Sequence, residues 1–291
     1  MKYAFSYIAS VFISVLLVFS VLAGTGAGIV KYCATEQQFK SICEKHDIDD
    51  KVHSELQKYF HERSSVTGIP EDIYMDAIDN EYLNGIIEQT IENGFQRLRG
   101  GNASIETKNE QLEASIDSFF NDYADKTGYK KDDKFEKKLT ATKHSAFNII
   151  QEYCDVYKFG ALDSHGVMAK LSKVYTHIDL IMITSASAVL LLIIALLLIN
   201  MSAKAETVYW AGVSALISGA VGIAPCAYLL ATDYFSSFSI KQAQIYMSYT
   251  ETMKLFTNTF MYACIGIAVL GLLLIIIYAV FKPKNHRQLH K

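Results

Sequence analysis

The sequence predicts an all-α integral membrane protein: four transmembrane helices, with one large extracytoplasmic helical domain between spans one and two. Three observations predict it. Residues 3–30, 180–203, 207–232 and 255–281 contain no Asp, Glu, Lys or Arg. Each run reaches or exceeds the roughly 20 residues that cross a hydrocarbon core about 30 Å thick as a helix. The charged segment 31–177 between the first two runs shows apolar residues at the helical period and no strict alternation. Lys and Arg fall at one set of span ends, which orients the spans.

Span one, residues 1–30, starts with Lys2, an apolar body and then small residues. A signal peptide cleaved near Ala23 or Ala27 has the same order of parts. The body runs about 20 residues from Tyr3, longer than the roughly 7–15 of a signal peptide, so a signal-anchor is expected and a cleaved leader is the alternative. Lys2, Lys204 in the link between the second span (178–203) and the third (208–232), and Lys282, Lys284, Arg287 and Lys291 of the tail 282–291 share one side of the membrane. The positive-inside rule makes that side cytoplasmic. Both termini are then inside a plasma membrane, and the domain 31–177 and the link 233–254 are outside. Tyr3 and Tyr7, Tyr209 and Trp210, Tyr228 and Tyr234, and Tyr262 and Tyr278 fall near span ends, where amphipathic rings favour the headgroup level. Of 27 basic residues 23 are Lys, a bias typical of an AT-rich genome such as that of a Gram-positive bacterium.

Small residues recur four apart in the spans. Span one has Ser6, Ser10 and Ser14, then Gly24 and Gly28; span three has Ala211, Ala215 and Gly219 beside Ser214, Ser218 and Gly222. Lipid supplies no hydrophobic drive between helices, so close backbone approach at small residues holds them together. Either the bundle or a homodimer face uses these stripes. Pro225 removes an N–H inside span three and frees the Val221 carbonyl. The four runs hold no buried charge of the kind that marks ion-coupled transport, which argues against a transporter or channel acting alone.

In the domain, Val52, Leu56, Tyr59 and Phe60 share a face, with Gly68 as a stop and Pro70 as a restart. Leu83, Ile86, Ile87, Thr90, Ile91 and Leu98 form a second stripe. Leu112, Ile116, Phe119, Phe120 and Tyr123 form a third, closed by Gly128, and Phe135, Leu139, Ala146, Phe147, Ile150, Cys154 and Tyr157 a fourth. These describe a helical bundle. With 26 acidic against 19 basic residues, a net of −7, the segment 31–177 lacks the basic face that nucleic-acid binding needs. The sequon at Asn102 matters only in a eukaryotic secretory pathway.

The link 233–254 repeats the helical pattern. Phe235, Phe238, Gln242, Ile245, Tyr249, Met253 and Phe256 fall at steps of three and four, with Ser236, Lys241, Gln244, Thr250 and Glu251 opposite. An amphipathic helix running into span four (255–281) is expected, with Phe235, Phe238, Ile245, Tyr249, Met253 and Phe256 as a docking face, so Ala243→Pro should destabilise it. Leu162, Met168, Leu171, Val174, Tyr175 and Ile178 carry the same pattern into span two. Spans two and four are thus expected to extend outward as stalks.

No catalytic constellation is present. Gly24, Gly26 and Gly28 lack the preceding strand and following Lys of a phosphate loop. Asp163, Ser164 and His165 are adjacent in sequence and point apart, so a helix N-cap suits Asp163 or Ser164 better. His46, His53 and His61 share a face only if the helix continues through Asp47 to Asp50. His286 and His290 belong to a basic juxtamembrane tail suited to anionic lipid. Cys33, Cys43 and Cys154 allow one disulfide, with Cys43–Cys154 tying first helix to last, or three buried thiols. Cys226 and Cys264 fall within spans. No metal or cofactor is implied.

The expected function is therefore non-enzymatic: an accessory, sensor or scaffold protein in the bilayer whose outer domain binds an envelope partner, or which pairs as a homodimer. The layout, one span, a large outer domain and three more spans, is similar to that of ABC permeases of the mechanotransmission type. That resemblance implies a cytoplasmic ATPase partner. It covers topology alone and departs at the short Met1-Lys2 start and at the link Met201 to Thr207.

Overall fold

The computed structural model describes residues 2–101, 108–201 and 203–281, with side chains from residue 6 onward. The sequon at Asn102, the basic tail with His286 and His290, and the side chains of Lys2 and Tyr3 lie outside the described residues. In chain order the helices are α1 (Lys2–Cys33), α2 (Glu36–Lys45), α3 (Ile48–Thr67), α4 (Asp72–Met75), α5 (Asn80–Leu98) and α6 (Glu110–Thr127). There follow α7 (Asp133–Cys154), α8 (Phe159–Ser164), α9 (Val167–Thr176), α10 (Ile178–Ile199), α11 (Lys204–Ala231), a 3-10 turn (Tyr234–Ser237) and α12 (Ala243–Phe281). No strand occurs among the described residues. Helices α1 from Ser6 onward, α10, α11 and α12 are long and apolar enough to cross a membrane, consistent with a multi-pass membrane protein.

The chain divides into two units. The first comprises α1, α10, α11, the 3-10 turn and α12 from Met253 onward. Its first contact is α1 on α10. The pair is antiparallel: Lys31, near the end of α1, forms an ion pair with Asp179 at the start of α10, while Ser6 and Ser10 meet Asn200 at its far end. The Ser6 hydroxyl donates to Asn200 Oδ1 at 3.3 Å, and Asn200 Nδ2 donates to Ser10 Oγ at 3.2 Å. The serine stripe of span one is therefore a polar seam. Farther along, a Cβ on Gly24 would sit 3.2 Å from Ser185 Cβ.

Helix α11 meets α12 through glycine. A Cβ on Gly219 would lie 2.6 Å from both the Ala268 Cβ and the Cys264 carbonyl oxygen, and one on Gly271 would overlap the Leu216 backbone nitrogen. A Cβ on Gly222 would overlap Cys264 Sγ. Ser214, Ser218 and Ala215 are buried and Ala211 is half-buried. The two hydroxyls donate back to the Trp210 and Ser214 carbonyls at 2.8 and 2.7 Å. Gly219 and Gly222 are thus packed inside the chain, and a homodimer through them would have to displace α12.

The second unit comprises α2 to α9 and the head of α12, residues 243–252. Helix α5 is its centre, touching α2, α3, α7, α8 and α9. Leu83, Ile86, Ile87, Ile91 and Phe95 are fully buried, each worth about 1.5–3 kcal/mol relative to exposure. Gly94 lets α5 touch the Phe159 ring, which a Cβ would overlap. Polar caps set the starts: Asp79 accepts from Tyr82 N at 2.8 Å, Asn109 from Leu112 N at 2.9 Å, and Asp132 from Phe135 N at 3.1 Å. Left-handed Gly68 and Gly128 end α3 and α6.

Five local features differ from the sequence pattern. Residues 233–254 are not one helix: Asp233 is left-handed at φ 46°, the 3-10 turn follows, and α12 starts only at Ala243. Gln244 and Thr250, on the expected solvent face, are buried along with Ser248 and Thr252. The head of α12 is therefore buried on more than its apolar side. The helix entering span two stops at Thr176, because His177 (φ −98°, ψ 0°) leaves helical geometry before α10 starts. Helix α7 ends at Cys154, because Asp155 (φ −77°, ψ 67°) leaves helical geometry, so Tyr157 falls outside its stripe. Pro70 precedes α4 rather than starting it.

The start of α12 moves the proline test. Ala243 is the first helical residue, where proline is tolerated. Ser248→Pro removes an interior N–H bond and should cost about 3 kcal/mol or more, read as a lower melting temperature in detergent. Gln244 is fully buried, and neither its Oε1 nor its Nε2 has a hydrogen-bond partner among the described residues. Gln244→Met should then stabilise by about 1–3 kcal/mol, since a buried orphan amide costs that much. A lower melting temperature for Gln244→Met would refute this. Gly219→Ala should destabilise the span bundle by about 1–3 kcal/mol, because the nearest atoms are backbone and a short rigid Cβ.

Candidate functional site

Three helices of the second unit meet around a cleft of about 680 Å³. Helix α3 brings Tyr59, Phe60, Arg63 and Thr67, a set close to one face. Gly68 then turns the chain so that Ile69 is buried and Tyr74 of α4 returns over Phe60. Those rings stack with centroids 4.2 Å apart and planes 11° from parallel. Helix α6 contributes Phe119, Phe120 and Tyr123, and α7 contributes Phe135, Lys138, Thr142 and Ser145. Phe120 and Phe135 meet edge to face at 6.2 Å. The Gly128 turn sets Tyr129 6.4 Å from Phe135.

The floor and rim differ. Phe60, Tyr74 and Phe135 are buried, while Tyr123 is 58% exposed and Tyr129 44%. Burial pushes the Tyr74 hydroxyl up to about 12, so it stays protonated through the neutral range. The Arg63 guanidinium lies 5.4 Å from the centre of the Tyr59 ring, a cation–π distance. Arg63 and Lys138 are the charged residues of the lining, which holds no carboxylate. Neither forms an ion pair among the described residues. The lining has hydroxyls but no histidine, cysteine or carboxylate to activate one. The cleft offers aromatic faces, a volume within the usual ligand range, and two cations with no ion pair among the described residues.

A second concavity of similar volume, about 690 Å³, contrasts with it. Three of its four charged side chains are held within the domain. Arg97 pairs with Asp163, and Lys158 Nζ donates to the Glu152 carbonyl at 3.0 Å. Asp155 accepts the Phe159 and Gly160 N–H groups, each at 2.8 Å. Burial raises the Asp155 carboxyl above the ordinary range despite those two donors.

The expected site residues are dispersed. Phe235 is buried in the first unit; Ile245 is buried and Phe238 and Tyr249 half-buried in the second. Tyr249 is spent internally: its hydroxyl donates to the Tyr157 carbonyl at 2.6 Å, and the two rings lie 5.9 Å apart. The Tyr157 hydroxyl is in turn 3.2 Å from Thr252 Oγ1. Met253 is exposed and Phe256 half-buried. The six residues do not form one open docking face.

Cys43 and Cys154 are not joined; all five cysteines are free and buried. Cys43 lies beside Tyr157 and Ser248, and the Cys154 thiol points at the Leu83 carbonyl at 4.0 Å. The histidines separate too, since α2 ends before left-handed Asp47. His46 Nε2 is 3.6 Å from Glu251 and His61 Nδ1 2.6 Å from Glu71. No three potential metal ligands cluster among the described residues.

The sequence did carry a signal for the cleft. Phe119, Phe120 and Tyr123 with Tyr129 and Phe135 are denser in rings than one core stripe needs, but only the fold brings Tyr59 and Arg63 to them. No family model, curated protein or solved structure matches this chain.

Burial pushes the Cys43 thiol up to about 12 and Cys154 higher still. Only the thiolate reacts, so both should resist maleimide at pH 7.5 in the folded protein. All five thiols should label after denaturation without reductant. Three labelled thiols, with two more released by reductant, would show a bridge.

Proposed function

We infer that this chain is a non-enzymatic membrane protein whose helical domain, residues 35–176, lies outside the plasma membrane and binds an envelope partner through the aromatic cleft. The cleft carries the reading. Tyr, Phe and Arg around a desolvated floor are the composition of binding hot spots, and Lys138 adds a second free cation at the rim. The outer placement rests on Lys2, Lys204 and the basic tail. The packing of α1 on α10 supports α1 as a retained span. Helix α12, at 39 residues, is about 58 Å long. That is nearly twice the roughly 30 Å of a hydrocarbon core, and its first ten residues belong to the helical domain.

Two measurements in intact cells test this. A membrane-impermeant maleimide should label Ser118→Cys, an exposed position on α6, without permeabilisation; labelling only after permeabilisation would overturn the topology. A photo-crosslinker at Tyr123 should join a discrete protein partner, and the adduct should disappear with Arg63→Glu. The same crosslinker at exposed Lys170 should not form it. Capture of a cytoplasmic ATPase instead would favour the permease-type arrangement.

A further inference from the structure

The sign of the cleft is opposite to that of the domain around it. Residues 31–177 carry 26 acidic and 19 basic side chains, yet the lining contains Arg63 and Lys138 and no Asp or Glu. Elsewhere in the domain several cations are paired: Lys143 with Asp117 at 2.7 Å, Lys131 with Asp125 at 2.9 Å, and Arg97 with Asp163. Arg63 has only the Tyr59 ring beneath it. A guanidinium over an aromatic face keeps its N–H edge free for a carboxylate fork. The floor below, built from Phe60, Tyr74 and Phe135, accepts an apolar side chain.

We propose that the cleft between α3, α6 and α7 recognises a carboxylate set beside an aromatic or branched apolar anchor on a segment of the partner protein. The apolar anchor enters between Phe60 and Phe135, and the carboxylate meets Arg63 and Lys138. The proposal rests on the reading that the cleft is the partner-binding site and adds which partner chemistry it selects. An acidic segment suits the open rim of Tyr123 and Tyr129, whose rings cover apolar surface while their hydroxyls stay wet. A basic segment would place like charges together in a half-desolvated site, which costs affinity steeply.

The test uses the full chain in lipid nanodiscs and two fluorescein-labelled peptides. One has phenylalanine and leucine along one helical face flanked by glutamates; the other has lysine for each glutamate. The glutamate peptide should bind saturably and at least about tenfold tighter than the lysine peptide, weakening as salt rises. Arg63→Glu with Lys138→Glu should reverse the preference. Both residues are exposed, and unchanged helical circular dichroism confirms that the double variant folds. Equal binding of the two peptides, or no reversal in the double variant, would overturn the charge rule. No binding of either peptide would overturn it as well. If the Tyr123 crosslink still forms with Arg63→Glu in that case, the cleft reading falls too; if the crosslink is lost, the cleft reading stands without this chemistry. Saturable binding of 2-naphthoate alone, with neither peptide bound, would make the occupant a small anionic amphiphile and refute the protein segment.

Discussion

Hydrocarbon offers the backbone no hydrogen-bond partner, so a chain that enters it must satisfy every N–H and C=O within its own helices. This constraint explains why the four charge-free runs are long helices. Lipid is also as apolar as leucine, so helices gain little by hiding apolar side chains from it. What remains is contact quality. Helix α11 reaches α12 where Gly219 and Gly271 remove the side chain that would hold the backbones apart. Helix α1 holds α10 through a serine stripe that ends on Asn200.

The helical domain obeys the opposite rule. Burial of Leu83, Ile87, Ile91 and Phe95 on α5 draws the other helices in. Caps and left-handed glycines decide where each helix stops, and these stops position the aromatic residues. Gly68 turns Tyr74 onto Phe60, and Gly128 turns Tyr129 toward Phe135. Rings in excess of what the core covers line an open cleft. By contrast, the head of α12 enters the same domain with polar side chains. Gln244 and Thr250 are buried without hydrogen-bond partners among the described residues, and Tyr157 anchors the head through Tyr249 and Thr252.

Function follows from which polar groups are left over. In the concavity at Asp155, Arg97, Asp155 and Lys158 already have partners inside the domain, so less remains for a ligand. Around Arg63 and Lys138 the reverse holds, and the tyrosines there have both an apolar face and a hydroxyl to offer. The proposed site would select by sign and shape.

The sequence by itself determined the spans, because absence of charge over twenty or more residues has few other causes. It also determined the main helical stripes of the domain, since the apolar period survives without knowledge of neighbours. Breaks were less legible. A single residue out of helical geometry, such as left-handed Asp233, Asp155 or His177, interrupts a helix without disturbing the apolar spacing. That is why residues 233–254 read as one helix while the regular part begins at Ala243. Burial of Gln244 and Thr250 was hidden for a related reason: polarity predicts a solvent face only where no second surface covers it. Tertiary structure alone decided that Gly212, Gly219 and Gly222 of α11 face α12. It alone gave Cys43 and Cys154 separate surroundings, and brought Tyr59 and Arg63 of α3 to Phe120 of α6 and Lys138 of α7. Contacts between residues sixty and more apart leave no local periodicity, so the cleft emerges only when the helices are packed.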